Sequence, residues 1–151
     1  LYCLSQLEDQ KSDVVILNGD TFVEINFNQM LSSHEKNAAD ITIALREVEH
    51  NDRYSQVILN KENKITEFCN REKTDFKQLI NAGIYLLKPS IICDQKWKNL
   101  EKFSIEDDFF PEVTREQKVY GYVTLGKFID IGVPKDYEKS KSFFTHAKLN
   151  Y

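Results

Sequence analysis

The sequence predicts an α/β domain on a mixed, Rossmann-like sheet with flanking helices, and three observations carry that expectation. Three apolar runs, Asp13 to Leu17, Ile41 to Leu45 and Leu79 to Leu87, have strand length and no polar alternation, as in strands covered on both faces of a sheet. Capped helix-start patterns lie between and after them. Two shorter strand-like runs around a polar turn in the middle of the chain add a hairpin, which makes the sheet mixed.

In chain order, Leu1, Leu4 and Leu7 stand apart from Glu8, Asp9 and Gln10, the pattern of the end of an amphipathic helix. A domain seldom starts in mid-helix without a cap. The 151 residues are therefore expected to form a single domain that is the C-terminal part of a longer protein, or a truncated version of one. The run ending at Leu17 reads as a strand buried on both faces of a parallel sheet, and Asn18-Gly19-Asp20-Thr21 turns the chain. Asn26 or Asn28 suits the cap of a helix reaching about His34, with Phe27, Met30 and Leu31 on its inner face. Tyr54 to Leu59 and Lys64 to Phe68 read as strands about the turn Asn60 to Asn63. Pro89 fits the first turn of a short helix. Ser104 begins a helix-start pattern with Asp107 three residues on, and Asp107-Asp108 read as surface or capping acids. Val119 to Leu125 and Phe128 to Ile131 read as late strands, and Pro134 starts a last helix with Tyr137, Ser140 and Phe144 along one side.

Composition narrows the function. A chain of 151 residues with 41% hydrophobic and 29% charged residues can bury a core. A net charge of −4 with singly scattered lysines argues against a nucleic-acid partner, because no basic patch exists to replace phosphate counterions. No apolar run approaches the roughly 20 residues that span a bilayer, and nothing resembles a signal peptide. Cys3, Cys69 and Cys93 are odd in number without C-x-x-C spacing, which reads as free buried thiols in a reducing cytoplasm. His34, His50 and His146 are dispersed, so a zinc site is not expected. Trp97, between Lys96 and Lys98, reads as a partly exposed packing residue.

The chemistry is carried by aspartates at the ends of apolar runs. Asp20 follows 14–19 and Asp130 follows 127–129, so each carboxylate is expected at the edge of a sheet, where open α/β sheets bind ligands. Either one alone is also an ordinary turn or capping acid. Together they supply two hard oxygen ligands with no His or Cys nearby in sequence, which suits Mg²⁺ or Mn²⁺ bound to a phosphate substrate. Asn81-Ala82-Gly83 opens a buried strand. Asn81 either satisfies loop backbone or aims its amide at sugar hydroxyls, and spacing does not decide. Glu72-Lys73 lies in a charged loop that is either solvated surface or part of a site.

Five segments then resemble a family. Leu17-Asn18-Gly19-Asp20-Thr21, Arg53-Tyr54, Phe68 through Glu72-Lys73, Asn81-Ala82-Gly83-Ile84-Tyr85 and Phe128-Ile129-Asp130-Ile131-Gly132 follow the order seen in sugar-1-phosphate nucleotidyltransferases. The stretch from Phe128 to Tyr137 looks most like the bacterial branch acting on D-glycero-D-manno-heptose 1-phosphate or mannose 1-phosphate with GTP. The resemblance implies that Asp20 and Asp130 are metal ligands and, with Lys73, the catalytic set. Lys73 would hold the sugar phosphate, Glu72 the sugar hydroxyls and Asn81 the ring substituents, with Tyr54 and Gly83 also facing the sugar. It implies an NTP and a sugar 1-phosphate as partners and a product used for surface polysaccharide precursors; composition adds no nucleic acid, no membrane and a cytoplasmic location, and whether the enzyme forms a homo-oligomer is left open.

Some features depart from the family pattern. Ser55 stands where Gly usually follows the Tyr of R-Y-G, and Thr74 where Pro often follows Glu-Lys. The G-G-x-G-T-R loop and the P-K segment that cradle nucleotide phosphates are not among these residues, whose five glycines form no such loop. The expectation is that this chain lacks the N-terminal nucleotide-binding segment and is inactive by itself. The rivals are a non-catalytic remnant serving regulation or assembly, and a metal-dependent glycosyltransferase. The latter, like a D-x-D-x-T phosphatase, would place a D-x-D where Asn18-Gly19-Asp20 stands.

Overall fold

A computed structural model describes residues 12–49, 53–69, 76–92 and 103–144. The helix end expected over residues 1–10, Cys3, Cys93, His50, His146, Trp97 and the pair Glu72-Lys73 lie outside the described residues. The spine of the sheet is β6 (Gln78–Leu87), ten residues of which eight are buried. β3 (Ile41–Val48) runs antiparallel beside it, from Ile41 opposite Leu87 to Val48 opposite Gln78. β7 (Val119–Thr124) continues the sheet parallel to β3. On the other side of β6, the hairpin of β4 (Gln56–Leu59) and β5 (Ile65–Cys69) meets its first half, and β1 (Val14–Leu17) meets its second.

Strand periodicity divides the core into two. Ile41, Ile43 and Leu45 of β3, with Tyr85 and Leu87 of β6, face one side of the sheet. There they pack against Phe109, Phe110 and Val113, from a π-helical turn (Ile105–Phe109) and α3 (Phe110–Glu116). Ala44, Ala82, Ile84 and Leu86 face the other side, against Met30 of α1 (Phe27–Lys36) and Val23 of β2 (Thr21–Val23). The remaining helices are α2 (Pro89–Ile92) and α4 (Pro134–Phe143), both opened by the expected prolines. The result is a mixed sheet with flanking helices, as the apolar runs predict.

Three local expectations need correction. β1 is antiparallel to β6 rather than part of a parallel array, and its side chains alternate, with Val15 44% and Leu17 58% exposed. A β-branched run specifies an extended strand but not how many faces are covered, and here one face is open. The inner face of α1 is Met30 and His34, whereas Phe27 and Leu31 flank it half exposed. Finally, Thr21–Val23 is a strand, paired antiparallel with β8 (Phe128–Asp130) in a separate two-stranded ribbon. Three residues are too few to show a period. Other details hold: Asn26 caps α1 by accepting from the Gln29 amide at 3.0 Å, and Ser104 caps the π-helical turn by accepting from the Asp107 amide. Cys69 is half-buried rather than fully buried.

His34 ties α1 to the sheet. Its Nδ1 pairs with the Thr42 hydroxyl at 2.8 Å, and its Nε2 stands 3.4 Å from an Asp13 carboxylate oxygen without hydrogen-bond geometry. Burial lowers its pKa, which the nearby Asp13 only partly offsets. The folded state thus takes up the proton less readily than the unfolded chain. Stability is then full above the unfolded histidine pKa of about 6.5 and declines as pH falls below it. Urea unfolding at pH 8 and pH 5 is expected to show a larger loss for the native chain than for His34→Gln, which removes the titrating group.

Candidate active site

The site begins at a crossing of β1 and β6. Gly83 has φ of +76°, and a Cβ there would stand 2.9 Å from Asn18 Nδ2. Only glycine permits both the backbone angle and the contact. The Asn18 amide donates to the Gly83 carbonyl at 2.8 Å, fixing the end of β1 on the spine. The chain then turns through Gly19-Asp20 into β2. The β2–β8 ribbon sets Thr21 opposite Asp130, and the Ile131 amide donates to the Asp20 carbonyl at 2.8 Å. Asp20 and Asp130, 110 positions apart in sequence, are neighbours because of this ribbon.

Their carboxylates face one gap. A Cβ on Gly132 would lie 3.0 Å from Asp130 Oδ1 and 3.3 Å from Asp20 Oδ2. The missing side chain therefore leaves a small space bordered by both acids. The two oxygens of Asp130 are differently engaged. Oδ1 accepts from the Gly132 amide at 2.7 Å, while Oδ2 accepts from the Tyr54 hydroxyl at 2.8 Å and from Arg53 Nη2 at 3.0 Å. Arg53 Nη1 reaches Asp136 on α4, and its guanidinium lies 5.2 Å from the centre of the Tyr54 ring. Burial, then the hydrogen bond to Asp130, pushes the Tyr54 phenol well up, so it stays a donor at neutral pH. Lys139, then Arg53, holds the Asp136 carboxyl below the usual range despite opposing desolvation.

Asp20, Arg53, Tyr54 and Asp130 line a cleft of about 390 Å³. Of those singled out in the sequence, Asp20, Asp130, Tyr54, Asn81 and Gly83 share it, whereas Glu72 and Lys73 lie outside the described residues. Arg53 and Glu106 share it too. Arg53 had a signal in the Arg53-Tyr54 segment but no role. Glu106 had none, being hidden in a helix-start pattern. Asn81 satisfies backbone, the first of its two readings. It lines the cleft, yet its Nδ2 donates to the Tyr85 hydroxyl at 2.8 Å and to Glu106 Oε1 at 3.0 Å, and its Oδ1 accepts from the Gly83 amide at 2.9 Å. Both amide protons are committed within the protein.

The donor set fits a hard cation. Two carboxylates facing a glycine gap, with an arginine and a tyrosine holding the outer oxygen of one, match the pattern of oriented oxygen ligands. Among the described residues no group of three or more His, Cys, Asp or Glu side chains forms a metal cage. An ion held by Asp20 and Asp130 would thus need substrate oxygens or water to complete its shell.

Comparison with known proteins places the chain in a family. A profile of the nucleotidyl transferase family (NTP_transferase) matches residues 2–147. A D-glycero-alpha-D-manno-heptose 1-phosphate guanylyltransferase of Aneurinibacillus thermoaerophilus is 34% identical over 138 residues, covering 90% of this chain and 57% of that protein. A probable mannose-1-phosphate guanylyltransferase 3 of Arabidopsis thaliana is 35% identical, covering 87% of this chain and 39% of its own length. The chain thus spans about half the length of these relatives. The crystal structure of HddC from Yersinia pseudotuberculosis complexed with GMP-PN superposes with a TM-score of 0.77 at 27% identity, over 95% of this chain and 61% of that one.

Gly132→Ala is expected to place its methyl between the two acids. Mn²⁺ binding, followed by water-proton relaxation, should weaken by about tenfold. The thermal midpoint should move little, because no positive φ is lost at this position.

Proposed function

The chain belongs to the nucleotidyl transferase family, and on that premise we propose that the protein carrying it transfers a guanylyl group from GTP to a sugar 1-phosphate of the heptose or mannose type. The products are the GDP-sugar and pyrophosphate. The observation that carries this reading is the convergence of Asp20 Oδ2 and Asp130 Oδ1 on the Gly132 gap. The names of the heptose and mannose guanylyltransferase relatives support the choice of donor and acceptor.

The attacking sugar phosphate is already an anion at neutral pH, so the reaction needs alignment and charge neutralisation more than a general base. Asp20 and Asp130 would hold Mg²⁺ or Mn²⁺, which when bound supplies positive charge to the phosphate oxygens. Arg53 and Tyr54 keep the Asp130 carboxylate turned with Oδ1 toward Asp20. In this reading Lys73 steadies the attacking phosphate, Glu72 holds sugar hydroxyls, and Asn81 with Gly83 forms the wall behind the sugar. A metal held through only two carboxylates binds weakly until substrate phosphates complete its shell, and the same acids disfavour the phosphate there until the metal offsets their charge. We assign the reaction to the cytoplasm and its product to surface polysaccharide precursors, the use that the family resemblance implies. Among the described residues no helix is long and apolar enough to cross a membrane.

Pyrophosphate release by the whole protein with GTP, Mg²⁺ and heptose or mannose 1-phosphate tests the assignment, and its absence with both sugars would overturn it. In that assay Asp20→Asn and Asp130→Asn are each expected to lower turnover by at least about 100-fold, the scale of several kcal/mol of lost charge stabilisation. Near-normal turnover in either would remove the metal assignment. The 151-residue chain by itself contains no glycine-rich phosphate loop. It should bind sugar phosphate weakly and release no pyrophosphate.

A further inference from the structure

Three consecutive acids, Glu106, Asp107 and Asp108, occupy the π-helical turn, and they divide their work. Asp107 and Asp108 are exposed and close the cap, accepting from the Ser104 hydroxyl at 3.1 Å and the Ser104 amide at 2.7 Å. Glu106 is half-buried and lines the cleft. The turn itself is anchored by the next two residues, Phe109 and Phe110, which are fully buried in the core. Its wide closure, from the Phe109 amide to the Ser104 carbonyl at 3.1 Å, is a departure from regular helix that recurs at functional sites.

Behind Glu106 stands a rigid support. Its Oε1 accepts from Asn81, whose amide is fixed by the Gly83 amide and the Tyr85 hydroxyl. Tyr85 is fully buried, and its hydroxyl also contacts the Asn18 side chain. The carboxylate is therefore held from the spine of the sheet rather than from a mobile surface. An ionised carboxylate only accepts hydrogen bonds and repels a phosphate. In a sugar 1-phosphate the complementary groups are the ring hydroxyls.

We propose that Glu106 is a specificity-determining residue of this cleft, accepting hydrogen bonds from ring hydroxyls of the sugar 1-phosphate, with Asn81 as its positioning residue. The inference rests on the sugar-phosphate reading above and adds to it a preference for an acceptor with free hydroxyls at this wall. It also changes the part of Asn81, which directs the carboxylate that meets the sugar.

Ligand-observed NMR titration of the 151-residue chain, in excess Mg²⁺ to offset the charge of the cleft acids, with mannose 1-phosphate and its 2-, 3- and 4-deoxy analogues tests the proposal. The native chain is expected to bind mannose 1-phosphate about 10- to 100-fold tighter than at least one analogue, the size of a hydrogen bond to a charged group. Glu106→Gln and Glu106→Ala should lose most of that discrimination while binding the same analogue as the native chain does. Asn81→Ala should reduce the discrimination with Glu106 still present. A purely structural role for Glu106 would weaken every ligand equally, and that result overturns the proposal, as does native-like discrimination in both Glu106 variants. If the native chain binds none of the four sugar phosphates, the sugar-phosphate reading fails and the inference falls with it.

Discussion

The close approach of β1 to β6 at Gly83 is the constraint on which both walls of the cleft depend. Gly83 accepts from the Asn18 amide through its carbonyl and donates its own amide to Asn81. Its lack of a side chain lets Asn18 lie against it. On one side, the fixed end of β1 delivers Asp20 into the β2–β8 ribbon. On the other, Asn81 carries the chain of contacts to Tyr85 and Glu106. A side chain at this position would strain the backbone and push apart two segments that the site needs in register.

Charge placement then determines what the cleft can hold. Asp20, Asp130 and Glu106 concentrate negative charge in a partly enclosed space, where screening by water is reduced. Arg53 offsets part of it by bridging Asp130 and Asp136. Because Arg53 and Tyr54 both address Oδ2, they leave the Oδ1 side of Asp130 toward Asp20. The cation and phenol thus act as orienting groups for the carboxylate rather than as competitors on its inner oxygen.

The two hydrophobic cores give these polar groups a stable floor. Tyr85 shows how the layers are joined: its ring packs against Phe110 at a centroid distance of 5.0 Å, while its hydroxyl reaches the site. Burial pushes its phenol well up, so it remains a neutral donor and acceptor in the network. The opposite core, through Met30 and Val23, supports the ribbon that pairs the aspartates. Substitutions in either core would reach the site through displaced polar groups rather than through direct contact.

By itself the sequence determined the strands of the main sheet, the Asn26 and Ser104 caps and the proline helix starts, because periodicity and capping are local properties of neighbouring residues. It also made Asp20 and Asp130 legible as a pair, since each ends an apolar run within a family-like segment. The antiparallel setting of β1, the short β2–β8 ribbon and the open face of Val15 and Leu17 were not legible. They depend on which strands meet, and three residues carry no period of their own. Glu106 was hidden for a similar reason: its sequence neighbours form a cap, and only tertiary contact with Asn81 separates it from Asp107 and Asp108. The tertiary structure alone decided that the two acids share the Gly132 gap and that the Asn81 amide is committed to the protein. Both are distances between residues far apart in the chain, set by the packing of β1 and the ribbon against β6, and no local pattern encodes them.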